Sequence, residues 1–351
     1  MRLPITIGDI LKWVTNGDML YFRAIKTIPL SMKDRLPANY HASLAPNSVL
    51  KPETLHSAVL ELAISYSQEN GVIFPPRNHP LLLFRYLKEL ALPLEVYEAT
   101  AKLASYLECA FTLPTESKKK LTVRDIPEAQ LMSLLVVCVK LLYPFDEYRR
   151  YPQSAAEPSS VVLDWAQWAK HMDESGKRPK DSQSLSAEEL LQMKEKDVFS
   201  MNDDMLDQYL DWYQTTWIDE RMEEKLDVFQ SAMWDMFPIS GKSKDQNTPS
   251  VADNAPGETA AEMETVRAVH ASLRARRVVT GEDTEQEVLR PGSLYKRYRR
   301  PKDLPEAAKR FFEEAASKAG LSLKMLTSAV FLTERKIQTW SVAQRKQQDS
   351  D

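Results

Sequence analysis

The sequence predicts an all-α protein, and three observations carry that prediction. Nearly every apolar pattern repeats at the helical spacing i, i+3, i+4, i+7 and hardly any alternates. Of 351 residues only 9 are Gly and 21 are Pro, so tight hairpins are scarce and proline marks the breaks. One segment, Leu131 to Leu142, is apolar almost all round, as a helix at the centre of a bundle must be. With 43% hydrophobic and 27% charged residues, the composition is that of a folded globular chain.

The elements follow in order. Thr6 and Asp9 make a capping-box pattern, and Ile7, Ile10, Leu11 and Val14 share one helical face. Asn16-Gly17-Asp18 stops that helix and caps a second one bearing Leu20, Tyr21, Ala24, Ile25 and Ile28, which Pro29 ends. Residues 36–51 read as a connector. Pro52 suits a first helical turn; the stripe is Leu55, Val59, Leu62, Ala63 and Tyr66, and Asn70-Gly71 is the stop. A helix from Leu81 to Leu90 follows Pro80. Another follows Pro93, with Val96, Tyr97, Thr100, Leu103, Ala104 and Leu107 inward. The central helix runs from about Pro127 to Tyr143, and Leu131, Leu135, Val136, Val139 and Leu142 are its expected core residues. A fifth helix is expected at Val161 to Met172, carrying Leu163, Trp165, Trp168 and Ala169.

Beyond a polar stretch, Ser186 and Glu189 repeat the capping-box pattern. Met205, Tyr209, Trp212, Tyr213, Trp217, Met222, Leu226, Phe229 and Trp234 then continue at helical spacing. Residues 239–258, with Gly241, Pro249, Pro256 and Gly257 and almost no large apolar side chain, read as a disordered linker. Helices resume at Ala261 to Val279, Leu304 to Ala319 and Ser322 to Trp340.

The formal net charge of −4 hides an asymmetry. Residues 1–170 carry 19 basic against 17 acidic side chains, residues 171–259 carry 9 against 20, and residues 260–351 carry 18 against 13. An acidic middle therefore separates a near-neutral front from a basic tail. No apolar run approaches the length of a membrane span. No phosphate loop, zinc-protease or nucleophile-elbow motif occurs, and the five His and two Cys (Cys109, Cys138) lie at no metal-ligand spacing. No residues are therefore assigned to catalysis or to a metal.

The sequence Tyr295-Lys296-Arg297-Tyr298-Arg299-Arg300 is the most suggestive polar feature. Lys296, Arg297, Arg299 and Arg300 can neutralise phosphates, and the interleaved tyrosines can pack on sugars or bases. Arg274, Arg276 and Arg277 extend the candidate patch, and Lys118, Lys119 and Lys120 form a second one. The alternatives are a basic connector that pairs with the acidic middle, and a solvated loop.

Three segments together carry a resemblance. They are ITIGDILKWVTNGDMLYFRAIKTIPLSMKDRLP at 5–37, FPPRNHPLLLFRYLKELALPLEVY at 74–97 with EAQLMSLLVVCVKLLYPFDE at 128–147, and PGSLYKRYRRPKDLPEAAKRFFEEAASKAGLSLKMLTSAVFLTERKIQTW at 291–340. This resembles the TFIIB-related subunit of the fungal RNA polymerase I core factor, whose animal counterpart belongs to selectivity factor one. The resemblance implies a TFIIB-like cyclin fold: one complete five-helix repeat plus the end of a preceding repeat, with additional C-terminal helices. On that plan residues 1–36 are the last helices of a first repeat, 37–51 a connector and 52–172 the second repeat. Residues 173–238 are then an acidic helical region, 239–258 a linker and 259–351 a basic helical region. The family's zinc ribbon needs CxxC pairs that are absent here, so the chain looks N-terminally truncated and zinc is expected only in longer members. If so, Ile7, Ile10, Leu11, Leu20, Ile25 and Ile28 should leave apolar surface exposed.

The resemblance further implies assembly with the other core-factor subunits, RNA polymerase I, the TATA-binding protein and ribosomal promoter DNA, in the nucleus and nucleolus. No membrane association and no catalysis are implied. A cyclin-fold regulator that binds a kinase or another protein without touching DNA is the alternative, since one fold serves both roles.

Overall fold

The structure is a computed structural model that describes residues 4–22, 24–46, 49–116, 122–176, 185, 187–193, 196–197, 201–217, 257–279 and 289–348. The chain divides into two units, one of Met1–Asp9, Lys51–Lys177 and Pro256–Asp351, the other of Ile10–Leu50 and Arg178–Ala255.

The first unit is organised around one helix. In chain order its helices are α4 (Pro52–Asn70), α5 (His79–Glu89), α6 (Glu95–Tyr106), α7 (Pro127–Leu142), α8 (Trp165–Gly176), α11 (Gly257–Ala271), α12 (Glu306–Ala319) and α13 (Leu323–Gln348). The remaining helices are α1 (Ile7–Asn16), whose first turn belongs to this unit, and α2 (Leu30–Lys33), α3 (Ala38–Leu44), α9 (Ala187–Gln192) and α10 (Asp203–Trp217). In α7 every residue from Pro127 to Lys140 except Gln130 is buried. Leu131, Leu135, Val136 and Val139 lie in the core as expected, and Leu142 is half-buried at its edge. Along α7 pack α13 and α6 most extensively, then α12 and α5.

The core is therefore not confined to residues 52–172. Phe311, Phe312, Leu326 and Val330 of the tail are buried in the same cluster as α7. A helix apolar on all sides needs neighbours on all sides, and four helices with one more alongside leave part of α7 bare. The tail fills that gap. Trp168 ties the layers together: it is 1% exposed, its Nε1 donates to the Leu90 carbonyl at 2.9 Å, and its ring meets Phe311.

The first turn of α1 is fastened to this core. The backbone N–H of Thr6 donates to Asp9 Oδ2 at 2.8 Å, completing the capping box, and the Arg85 guanidinium grips both Asp9 oxygens and the Pro4 carbonyl. Burial pushes the Asp9 carboxyl up, but the hydrogen bonds from Arg85 and Thr6 outweigh it and hold the group below its usual range. Gly320 ends α12 in the left-handed conformation (φ +62), and a Cβ there would lie 2.3 Å from the Gly8 nitrogen. Only two glycines let these backbones meet.

His56 reads the same junction from α4. Its Nε2 lies 2.9 Å from the Gly320 carbonyl, and the residue is 2% exposed. Burial draws its pKa down, against the opposing pull of that carbonyl and of Glu128. The folded state thus binds fewer protons here than the unfolded state. The contribution is complete above the unfolded His value of about 6.5 and is lost as the pH falls below it. Chemical denaturation midpoints should therefore fall between pH 7 and pH 5, and His56→Gln should flatten that part of the profile. An unchanged slope in the variant would refute this assignment.

Several elements differ from the sequence-based expectations. The buried face of α4 is His56, Leu60, Ala63 and Ile64, not the expected stripe, and Leu62 is 57% exposed. A histidine heads the true face, so a purely apolar pattern skips it. The fifth helix starts at Trp165, because the Asp164 carboxylate accepts from the N–H groups of Ala166 and Gln167 and caps it there. Val161 and Val162 instead form a short strand antiparallel to Arg274 and Ala275, with Val161 opposite Ala275. The helix expected to reach Val279 accordingly stops at Ala271.

In the second unit, the continuous helix expected through Ile28 is only a 3-10 turn, Ala24–Thr27, followed by the four-residue α2. β-branched Ile25, Thr27 and Ile28 followed by Pro29 leave too little chain to propagate a helix. The connector 36–51 contains α3, which follows Pro37. His41 Nε2 lies within hydrogen-bond distance of the Lys33 and Leu36 carbonyls. In α10 the Tyr209, Trp212 and Tyr213 rings cluster, and Trp217 meets Phe22. Of the front residues expected to lack cover, Leu20 is 72% exposed, Ile10, Leu11, Ile25 and Ile28 are half-buried, and Ile7 in the first unit is buried. Residues 218–256, which include Met222, Leu226, Phe229 and Trp234 of the expected acidic helical region and most of the expected linker, lie outside the described residues.

Candidate nucleic-acid interface

The strip Lys296–Arg300 crosses the surface between Gly292 and the 3-10 turn Pro301–Asp303. The turn is capped by the Asp303 carboxylate, which accepts from the Arg300 N–H at 3.1 Å. Lys296, Arg297, Arg299 and Arg300 are all exposed, whereas Tyr295 and Tyr298 are not. The pattern repeats every three residues: each ring turns in and the two cations that follow it turn out.

The rings turn inward to a charge. Lys140 Nζ lies 4.4 Å from the centre of the Tyr295 ring and 4.7 Å from that of Tyr298, in cation–π range of both. The same ammonium meets Glu334 Oε1 of α13 at 2.5 Å, and the Tyr295 hydroxyl donates to that oxygen at 2.6 Å. Lys140 and Glu334 side chains are 4% and 2% exposed. Burial draws the Lys140 ammonium down, although Glu334 pulls it the other way, and burial pushes both tyrosines up. This corrects the expectation that the tyrosines pack on sugars or bases. They pack on Lys140, because a cation buried in apolar surroundings needs its ligands from the protein.

A second fastening lies upstream. Arg150 donates to both Asp146 oxygens, at 2.5 and 2.7 Å, and to the Ser293 carbonyl at 2.9 and 2.8 Å. Its guanidinium holds the Asp146 carboxyl below the usual range. The entry to the strip is thus pinned to the end of α7, and Arg297 Nη1 donates to Gln338 of α13 at 2.7 Å. Arg150–Asp146 and the Asp303 cap are local, but the other anchors join residues 39 to 194 apart in sequence and could not be found from local periodicity.

The upstream arginines do not join the strip as one set. Arg276 faces inward: its Nη2 donates to the Leu142 carbonyl at 3.2 Å, its backbone N–H donates to Ser160, and burial draws its pKa down. Its role is to fasten strand to core, which removes it from the candidate contacts. Arg274 and Arg277 are exposed. Lys118, Lys119 and Lys120 lie outside the described residues.

No catalytic constellation is formed by these groups. Cys109 and Cys138 are both free thiols, and burial pushes Cys138 up to about 12, where a thiolate ligand is disfavoured. Among the described residues no group of His, Cys, Asp and Glu is placed to hold a metal ion, and no helix is long and apolar enough to cross a membrane.

Residues 48–217 match the family described as Rrn7/TAF1B, C-terminal cyclin domain. The chain is 24% identical over 264 residues to the RNA polymerase I-specific transcription initiation factor rrn7 of Schizosaccharomyces pombe, covering 71% of this chain and 47% of that protein. It is 26% identical over 161 residues to the corresponding Saccharomyces cerevisiae factor, covering 43% and 30%. The chain thus spans less than half the length of these relatives. The crystal structure of the S. cerevisiae core factor superposes with a TM-score of 0.54 at 15% identity, over 96% of this chain and 78% of that one. Together they identify the architecture as an all-α cyclin fold with additional helices.

Proposed function

Because the chain is an Rrn7-like, TFIIB-related protein carrying the C-terminal cyclin domain of the Rrn7/TAF1B family, we propose that it acts in RNA polymerase I transcription initiation. The names of its relatives support the polymerase class, and likeness to the yeast core factor supports assembly with other core-factor subunits. In this reading the assembly works in the nucleus, at the nucleolar ribosomal DNA. It binds the core promoter, engages the TATA-binding protein and recruits the polymerase. The chain makes and breaks no bonds; its work is placement.

The observation that carries the DNA-contacting part is the strip itself. Four cations point to solvent from a segment whose tyrosines, flanking turn and following helices are all anchored. Phosphate contacts position a protein on a duplex without reading sequence, and a rigid row of cations suits that task. Arg274 and Arg277 are secondary candidates on the same grounds.

The test is Arg297→Glu/Arg299→Glu/Arg300→Glu in the assembled factor, with promoter binding followed across a salt titration. If all three arginines meet phosphates, the log–log salt slope should shrink by roughly 3, at about 0.9 per contact. Affinity at low salt should fall by well over about tenfold. Unchanged affinity and slope would remove the strip from the interface and favour a cyclin-fold regulator that leaves DNA alone.

A further inference from the structure

We propose that a groove on the other side of α13 docks an acidic amphipathic helix from a partner subunit. That the donor is a fellow subunit rests on the initiation-factor reading; the docking chemistry does not.

The groove encloses about 560 Å³, within the range of binding cavities. One wall is α13, where Leu332, Arg335, Lys336 and Thr339 stand at i, i+3, i+4 and i+7 and so form one face. That face is distinct from the one carrying Glu334 and Gln338, which serves the basic strip. The floor is α7, where the Ser133 hydroxyl is bonded to Thr333 at 2.8 Å beside buried Leu134, and half-buried Cys109, Val123 and Leu332 supply the accessible apolar lining.

The opposite wall is the chain leaving α6. Glu108 and Phe111 there both adopt the left-handed region at φ 50, uncommon for any non-glycine residue and more so for a bulky one. Tertiary contacts hold them in it. The Phe111 carbonyl accepts from Arg77 N at 3.1 Å, its ring stacks on His79, and Lys336 Nζ donates to the Leu107 carbonyl at 2.5 Å. Backbone held in sparsely populated conformations clusters at ligand clamps, and here it shapes the mouth of a cavity.

Charge selects the occupant. Arg124, Arg335 and Lys336 line the groove against a single carboxylate, Glu108, and the three cations are exposed. Apolar depth with a cationic rim complements a helix whose anchors are large and apolar and whose flanks are carboxylates. A duplex backbone, convex and uniformly charged, would leave the apolar floor unfilled. Phosphate therefore suits the strip and a peptide suits the groove.

Two measurements test this on the full chain. The probe is a fluorescently labelled peptide with Leu and Trp at i, i+3, i+4 and i+7 and Glu elsewhere; a second peptide replaces Glu by Lys. The acidic probe should bind, and Arg124→Glu/Arg335→Glu should weaken it at least about tenfold while leaving the thermal melt unchanged, both residues being exposed. Equal binding of the Lys peptide, an indifferent variant, or competitive displacement by duplex DNA would overturn the proposal. In the reconstituted core factor, a photocrosslinker at Thr339 should capture an acidic segment of another subunit, and capture of DNA alone would again overturn it. If the acidic peptide binds but the chain assembles with no core-factor subunit, the initiation-factor reading fails and the docking chemistry stands.

Discussion

Val136→Asp should abolish cooperative folding of the first unit. Val136 is 0% exposed at the middle of α7, with helices packed around it and buried Leu135 and Val137 beside it. The substitution forfeits the valine's burial, about 1.5–3 kcal/mol, and places a carboxyl in the apolar core. Even protonated, an unpaired polar group there costs about 2–7 kcal/mol more. Against a typical total stability of about 5–15 kcal/mol, the combined cost leaves little or nothing. Far-UV circular dichroism on heating should show the transition lost or moved far down. Val136→Ala, which only leaves a cavity, should keep a cooperative melt at a lower midpoint. A Val136→Asp protein that melts like the parent would remove α7 from the centre of the fold.

Glu334→Ala is the second large effect. It leaves the Lys140 ammonium buried with only two ring faces for company and strips the Tyr295 hydroxyl of its acceptor. Breaking a buried pair from one side costs about 3–5 kcal/mol, because the surviving charge must be neutralised or hydrated. Removing both charges is another matter. Lys140→Met/Glu334→Leu keeps most of the packing, and such replacements are often neutral or stabilising. Urea midpoints should therefore order as single variant well below parent, with the double variant recovering most of the difference. A double variant as unstable as the single would show that the loss was packing and not charge. The pair also connects stability to the proposed interface, since Tyr295 and Tyr298, which pack on Lys140, belong to the strip that carries the exposed cations.

How much of this was legible in the sequence depends on where each signal lay. The ends of α4 were plain because Pro52 and Asn70-Gly71 act on their own neighbours, and Gly71 does adopt the left-handed cap. The burial of α7 was plain because its apolar character has no gap. The inner face of α4 was missed because His56 is buried through a carbonyl contributed by Gly320, 264 residues away. The short strand at Val161 was missed for the same reason: two β-branched residues favour a strand only when a partner edge, here Arg274–Ala275, is supplied. In the candidate interface, the cluster of cations could be read directly. Which cations face water could not, and Arg276 and the tyrosines turned inward.

The sequence by itself determined the helical class, the central helix, the positions of the main breaks and the uneven distribution of charge. All of these follow from local periodicity, capping and composition, which act over a few residues. Tertiary structure alone decided that the tail completes the core around α7, that Lys140 draws the strip's aromatic rings inward, and that three cations gather on an apolar groove. Those outcomes depend on burial and on partners far apart in the chain, and a charge or a ring takes its role from what the fold sets against it.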